Sequence, residues 1–504
     1  MNDLPPFLVA VPLLGSVVAL LAGLVRSRSG WPIAVCTALL QTAMAAVLAV
    51  RAFGGQPVQY VVGGFSAPFG IELVIDGLSA TMVVLVAVVA LGVLGYARVA
   101  GPRSNAFYAT YLLLLAGLSG MSITADVFNM YVFLEITGLA AYALVASGEG
   151  GRSARAALKY LLVGTVGASL FLLGIGFAYV ATGTLNMADL SAQLAAVGYG
   201  SPLVRASFGL LVVGLFVKIA VFPIHTWQPA AYAGAPDSVS ALISALVSTI
   251  AAYALIRIVF TVFTVEFLAA NPFAQTVLVA AAVVSIVAGS VLAVTQREIK
   301  RMLAYSSVSQ FGLIVGAVAV ANGTALTGAM IHLVGHAVMK GGLFLTSGLI
   351  ADETDARTVD DYRGLAERFP VGSTAFGVLA LAMVGVPPAV GFVGKWYIAL
   401  GAVEARAWPL VAVLLLSTLL TLAYFARVLE RIYFRESPDA DARAETASDE
   451  TLVTDGEGDD AGRPPVSTGM RATVVLAAVL AVVLGVAAFE YGQLLEPTIA
   501  RLLA

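Results

Sequence analysis

The sequence predicts an all-α integral membrane protein of about fourteen transmembrane helices. Three observations carry this reading. Of 504 residues, 60% are apolar and only 11% charged, against roughly 25% charged in soluble globular domains. Apolar stretches of the roughly 20 residues needed to cross a bilayer core about 30 Å thick recur along almost the whole chain, leaving no length for a soluble domain. Two of these stretches carry prolines in mid-pattern, at Pro223 and at Pro387-Pro388, so both helices are expected to be broken.

The spans, taken in order, cover roughly 4–25, 31–52, 77–99, 106–123, 125–147, 156–182, 202–224, 237–263, 272–295, 302–321, 325–350, 371–403, 407–433 and 471–492. The first is preceded by Asp3 and by no basic residue, and it lacks a small-residue cleavage pattern, so it reads as a helix and not as a secretion signal. Cys36 is the sole cysteine. That excludes a disulfide framework or a thiolate cluster for iron–sulfur or zinc, and no cofactor is expected.

With the N-terminus outside, one set of loops and flanks collects Arg26, Arg28, Arg98, Arg103, Arg152, Arg155, Lys159, Arg297, Lys300, Arg301, Arg357, Arg363, Arg368, Arg427, Arg431, Arg435, Arg443, Arg463 and Arg471. The other side holds Arg51, Arg205, Arg406 and Arg501. Basic residues resist translocation, so the first set is assigned to the cytoplasm and both termini to the outside.

The organisation expected is an N-terminal group of helices over 1–105, a five-helix block over 106–263 and a second over 264–433. An acidic linker over 434–470 and a final helix over 471–504 follow. The broken helices, spans seven and twelve, occupy corresponding places in the two blocks, the pattern of an inverted repeat. The linker between Glu436 and Val466 is dense in Asp, Glu, Ser, Gly and Pro and reads as a disordered cytoplasmic segment. Asp455, Glu457 and Asp459 within it make no calcium loop, because Asp460 stands where glycine and Val466 where glutamate is required. Asn322-Gly323-Thr324 forms a glycosylation sequon on a loop too short to present it.

Lys218, Arg257, Lys340 and Lys395 lie within spans, and Glu135 lies inside span five. An ionised side chain at mid-bilayer costs about 2.5–3.5 kcal/mol on insertion scales, so each must face protein or water. Lys218 and Glu135 are expected to pair. Desolvation weakens a lysine's hold on its proton and a nearby carboxylate strengthens it, so relative movement of the two would switch the lysine between loaded and unloaded. The alternative is a purely structural ion pair.

His332, His336 and Lys340 follow one another at four-residue steps, on one face of span eleven. Histidine exchanges protons near neutral pH. A packing histidine is the bland reading, and a metal site is disfavoured because no carboxylate or thiolate is close in sequence. Lys395, just after the Pro387-Pro388 break, extends the line. His225 follows Pro223 at the other break and either carries protons or caps the break. Arg257, near the end of span eight, is expected to snorkel to the interface.

The segments that carry these residues resemble the antiporter-like membrane subunits of Mrp-type sodium/proton antiporters and of respiratory complex I. Pro223-Ile224-His225-Thr226-Trp227-Gln228-Pro229-Ala230, continuing through Ala235-Pro236-Asp237-Ser238-Val239-Ser240-Ala241-Leu242, is similar to one family signature. Arg297-Glu298-Ile299-Lys300-Arg301-Met302-Leu303-Ala304-Tyr305-Ser306-Ser307 is similar to a second. The resemblance implies that Glu135, Lys218, Lys340 and Lys395 fall at the family's central proton-transfer positions, and that the chain has no catalytic site or cofactor of its own. It also implies partner membrane subunits, protons and sodium as the ions moved, no nucleic acid, and the cell membrane of a prokaryote.

One position departs from the family: Thr249 stands in span eight where a lysine is usual. A hydroxyl orders water but stores no proton near neutral pH. The chain's length, ending soon after span fourteen, favours the D-type subunit of an Mrp antiporter. A proton-pumping subunit of complex I or of a membrane-bound hydrogenase, and a non-conducting scaffold, are the alternatives.

Overall fold

The computed structural model describes residues 3–436 and 466–504; the expected linker falls almost entirely outside the described residues. Thirteen described helices are long and apolar enough to cross a membrane. The first six crossings are α1 (Phe7–Val25), α2 (Gly30–Phe53), α3 (Gly77–Ala100), α4 (Asn105–Ile123), α5 (Val127–Ala146) and α6 (Gly151–Thr182). Two short elements absent from the expected plan lie between crossings. Strands β1 (Val58–Val61) and β2 (Glu72–Ile75) form an antiparallel hairpin with Val58 opposite Ile75, and α7 (Met187–Val197) follows α6. Both are too short to show as apolar runs.

The seventh crossing is broken, as expected. Helix α8 (Pro202–Ile219) stops where Ala220 adopts a left-handed conformation, φ 65°, and the chain passes Pro223 before resuming as α9 (Trp227–Gly234). Pro223 has no N–H to continue an i to i−4 ladder. Helix α10 (Asp237–Ala270) crosses almost wholly buried, and two π-helical stretches, Ile243–Val247 and Ile258–Phe263, interrupt it. Then come α11 (Pro272–Thr295), α12 (Ile299–Val320) and α13 (Gly323–Thr354).

The twelfth crossing is broken at Gly385, φ 98°, a conformation that costs glycine little. Pro387 and Pro388 follow, so the crossing is made of α14 (Pro370–Val384) and α15 (Val390–Glu404). Helices α16 (Trp408–Phe434) and α17 (Thr468–Leu503) complete the chain, the last running well beyond the expected 471–492.

Burial sorts these helices into two environments. α10, α12 and α13 form the interior. α1, α6 and α17 expose Leu14, Leu24, Leu162, Val180, Val483 and Val486, an apolar surface on a scale that suits lipid and not water. The sequon residue has a plain structural role: the Asn322 side chain caps α13 by accepting from the Ala325 amide at 2.8 Å.

Candidate functional site

Lys218 occupies the last turn of α8, where the break leaves it against α5. Its Nζ lies 3.4 Å from Glu135 Oε1 and 3.2 Å from the Tyr142 hydroxyl. Glu135 and Tyr142 are seven residues apart on α5, two turns along one face. Lys218 is only 4% exposed at its side chain, whereas Glu135 is 24% exposed, so the pair joins an interior cation to a carboxylate nearer the helix surface.

The break itself supplies the scaffold for this pair. Trp227, on the far side of the break, donates from Nε1 to the Val217 carbonyl at 2.8 Å. Its ring stacks on Tyr160 at 4.0 Å, and Tyr160 meets Tyr142 edge-on at 4.5 Å. Glycine makes the room: a Cβ on Gly164 would stand 2.0 Å from the Tyr142 hydroxyl.

From Lys218 the polar atoms continue into α10. The Ser248 hydroxyl reaches the Lys218 carbonyl at 3.4 Å and contacts the Tyr232 hydroxyl and Gln228 Nε2, each at 3.3 Å. Thr249 is fully buried, and its hydroxyl meets no hydrogen-bond partner among the described residues.

His332, His336 and Lys340 are all fully buried on α13. His332 Nε2 lies 2.9 Å from Gln310 Oε1 of α12. The His336 ring rests against Phe311 at 4.7 Å, and neither of its nitrogens has a partner among the described residues. Lys340 donates to the Leu303 carbonyl at 2.7 Å and to the Ser306 hydroxyl.

Lys395, in the second turn of α15, donates back across the break to the Met383 and Val384 carbonyls at 2.9 and 3.1 Å. These are end-of-helix carbonyls of α14, the negative end of its dipole. Gly394 lets α15 pack closely against α13, because a Cβ there would meet the His332 backbone at 2.9 Å.

One sequence-based placement changes. Arg257 does not snorkel: it is 8% exposed and pairs with Asp76 at 2.5 Å. The span-length apolar pattern hid Asp76, which sits at a helix start 181 positions away in sequence. His225, at the break, stacks on Phe222 at 5.1 Å and lies 5.8 Å from Tyr305. Tyr305 lines a cavity of about 390 Å³ with Arg155, Lys159 and Arg301.

The two signature segments also meet. Lys300 donates to the Ala235 carbonyl and to Asp237, both at 2.8 Å, beside a cavity of about 430 Å³. Tyr142, Ser306, Gln310 and Asp76 are the partners that sequence reasoning missed. Only Tyr142 left a signal, its seven-residue spacing from Glu135.

Two broken helices flanking a buried array of lysines and histidines define an antiporter-like, multi-span membrane subunit. The chain belongs to the NADH:quinone oxidoreductase/Mrp antiporter transmembrane family, whose model matches residues 124–421. It is 46% identical to the N-type subunit of the NADH-quinone oxidoreductase of Desulforudis audaxviator over 88% of this chain and 89% of that protein. It is 32% identical to the D-type subunit of the Na(+)/H(+) antiporter of Bacillus subtilis, over 75% of this chain and 76% of that one. Among solved structures, a chain of the Mrp complex from a Dietzia species superposes with a TM-score of 0.87 at 26% identity, covering 100% of this chain and 97% of that one.

Proposed function

We propose that this chain is the proton-translocating, D-type subunit of a multisubunit sodium/proton antiporter in a prokaryotic cell membrane. Its arginine-rich face is cytoplasmic and both termini lie outside. The observation that carries the reading is the Lys218 contact with both Glu135 and Tyr142 at the break in the seventh crossing. An ion pair here stabilises the lysine's charge, and any movement of Glu135 leaves that charge uncompensated at a cost of about 3–5 kcal/mol. The proton then leaves Lys218 through the Ser248 and Thr249 hydroxyls and water, and reaches His336, Lys340 and Lys395.

Thr249 and His336 present polar atoms without protein partners among the described residues, and buried groups of this kind are ordinarily satisfied by water. Thr249 therefore passes protons by ordering water and stores none. His225, beside the basic cavity, serves the cytoplasmic entrance and not the central line.

The test is cation-driven proton flux in proteoliposomes holding the assembled complex. Lys218→Ala is expected to lower coupled flux by about 100-fold while the complex still assembles. Unchanged flux would leave the chain a scaffold.

A second reading, a proton-pumping subunit of a quinone-reducing complex, is favoured by the 46% identity to an oxidoreductase subunit of the N type. Purification of the native complex separates the two: small antiporter subunits support the first, iron–sulfur and quinone-reducing subunits the second.

A further inference from the structure

Beyond Thr249, helix α10 holds a second polar line that the array above does not use. Between its two π stretches, Ile243–Val247 and Ile258–Phe263, lies one regular α-helical segment, Ser248–Arg257. Thr249, Tyr253 and Arg257 stand at four-residue steps along that segment, so they share one face. They are 0%, 2% and 8% exposed, and Arg257 ends against Asp76, whose side chain is 14% exposed. The line thus runs from the mid-membrane Thr249 toward the face opposite the Asp237–Lys300 contact.

The end of the line is closed in this structure. Arg257 binds Asp76 at 2.5 Å and donates from Nε to the Tyr253 hydroxyl at 2.8 Å. Tyr253 in turn donates to the Ser122 carbonyl at 2.8 Å, so its proton and an oxygen lone pair are both committed. Asp76 is held as well, accepting from the Leu78 and Ser79 amides as the cap of α3. Burial alone would raise the Asp76 carboxyl, but Arg257 and Ser79 outweigh it and hold it below the usual carboxylate range.

We infer that Tyr253, Arg257 and Asp76 form a gated proton port on the face opposite the basic loops, opened by rotation of Ser248–Arg257 about its flanking π stretches. The inference rests on the proton-translocating reading. π-Helical turns carry poorer hydrogen bonding and concentrate at functional sites, and two of them bracketing a ten-residue segment leave it joined to the rest of α10 by its weakest turns. Rotation withdraws Arg257 from Asp76 and frees the Tyr253 oxygen for water. A proton then passes along that water from Thr249, past the parted Arg257 and Asp76 side chains, to solvent.

The port is tested in the assembled complex with a neutral pair, Asp76→Asn together with Arg257→Gln. Asparagine caps a helix about as well as aspartate, so α3 keeps its start. The gate predicts a proton leak, without any driving cation, at least about tenfold above that of the unaltered complex, which is about 1.4 kcal/mol of lost closure. Because Cys36 is the sole cysteine, Thr249→Cys in a Cys36→Ser background adds a second readout. The introduced thiol is expected to resist a membrane-impermeant thiol reagent when the Asp76–Arg257 pair is intact, and to be labelled from the face opposite the basic loops when the pair is neutral.

No leak and no labelling, with coupled flux intact and dependent on Lys218, would sink the port and leave the transport reading standing. Loss of Lys218 dependence in the unaltered complex would sink the transport reading instead. Failure of both the double variant and Asp76→Asn alone to assemble would assign the pair to folding and overturn the port.

Discussion

The two broken helices hold their lysines in opposite ways. Lys218 sits before its break and faces a carboxylate, Glu135, with Tyr142 beside it. Lys395 sits after its break and, among the described residues, faces the Met383 and Val384 carbonyls, while Lys340 faces a carbonyl and a hydroxyl. Among the described residues, the first half therefore sets a counter-ion against its lysine and the second sets dipoles. Under the proposed function, a carboxylate that can be neutralised or moved makes the first half the one that switches, while fixed carbonyl dipoles, which cannot be neutralised, leave the second half to answer to charge arriving from its neighbour.

The comparison breaks most sharply at Lys218. Lys218→Ala is expected to lower coupled proton flux by about 100-fold, equivalent to roughly 2.7 kcal/mol, with the amount of assembled complex in the membrane little changed. Glu135→Gln comes next. It leaves a buried cation without its partner, which costs about 3–5 kcal/mol if the charge stays, so flux should fall by more than tenfold while assembly, read by blue native electrophoresis, falls less. Equal loss of flux and of assembled protein would mean the pair serves folding and the proposed switch is wrong.

Smaller effects sharpen the contrast. Gly164→Ala places a methyl where the Tyr142 hydroxyl now stands and should turn that hydroxyl away from Lys218. The expectation is a loss of flux of roughly two- to tenfold, the worth of one hydrogen bond of about 0.5–1.5 kcal/mol, with the Lys340 half undisturbed. Thr249→Val keeps shape and removes the hydroxyl. A drop of about threefold, on the same scale, is expected in single-turnover flux, and none at all would route the proton past Thr249. Least affected should be transport in Asn322→Ala, which removes the cap of α13: thermal stability of the complex falls by about 1 kcal/mol with flux per assembled complex unchanged.

Most of the architecture was legible because the cost of placing a residue in lipid is local and nearly additive along the chain. The apolar runs set the crossings. Pro223 and Pro387-Pro388 marked the breaks, since a missing N–H acts wherever the helix goes. The hairpin at Val58–Val61 and Glu72–Ile75 and the helix Met187–Val197 escaped notice because elements this short have no span-length pattern. Lys218 and Glu135 were expected to meet on the ground that lone charges are dear in lipid, and they do.

Charge by itself says nothing of geometry. Arg257 illustrates the limit: a long cation near a helix end ordinarily reaches for water, and here it turns inward to Asp76 instead. The sequence alone determined that this chain lives in lipid, where its helices break and which few charges lie inside. Only the tertiary structure decided that Tyr142 joins Lys218 and Glu135, that Lys340 and Lys395 have no carboxylate partner among the described residues, and that Arg257 turns to Asp76. Helix faces in lipid are apolar on all sides, so hydropathy does not tell which face meets which, and that choice is made by small residues and side-chain packing between helices far apart in sequence.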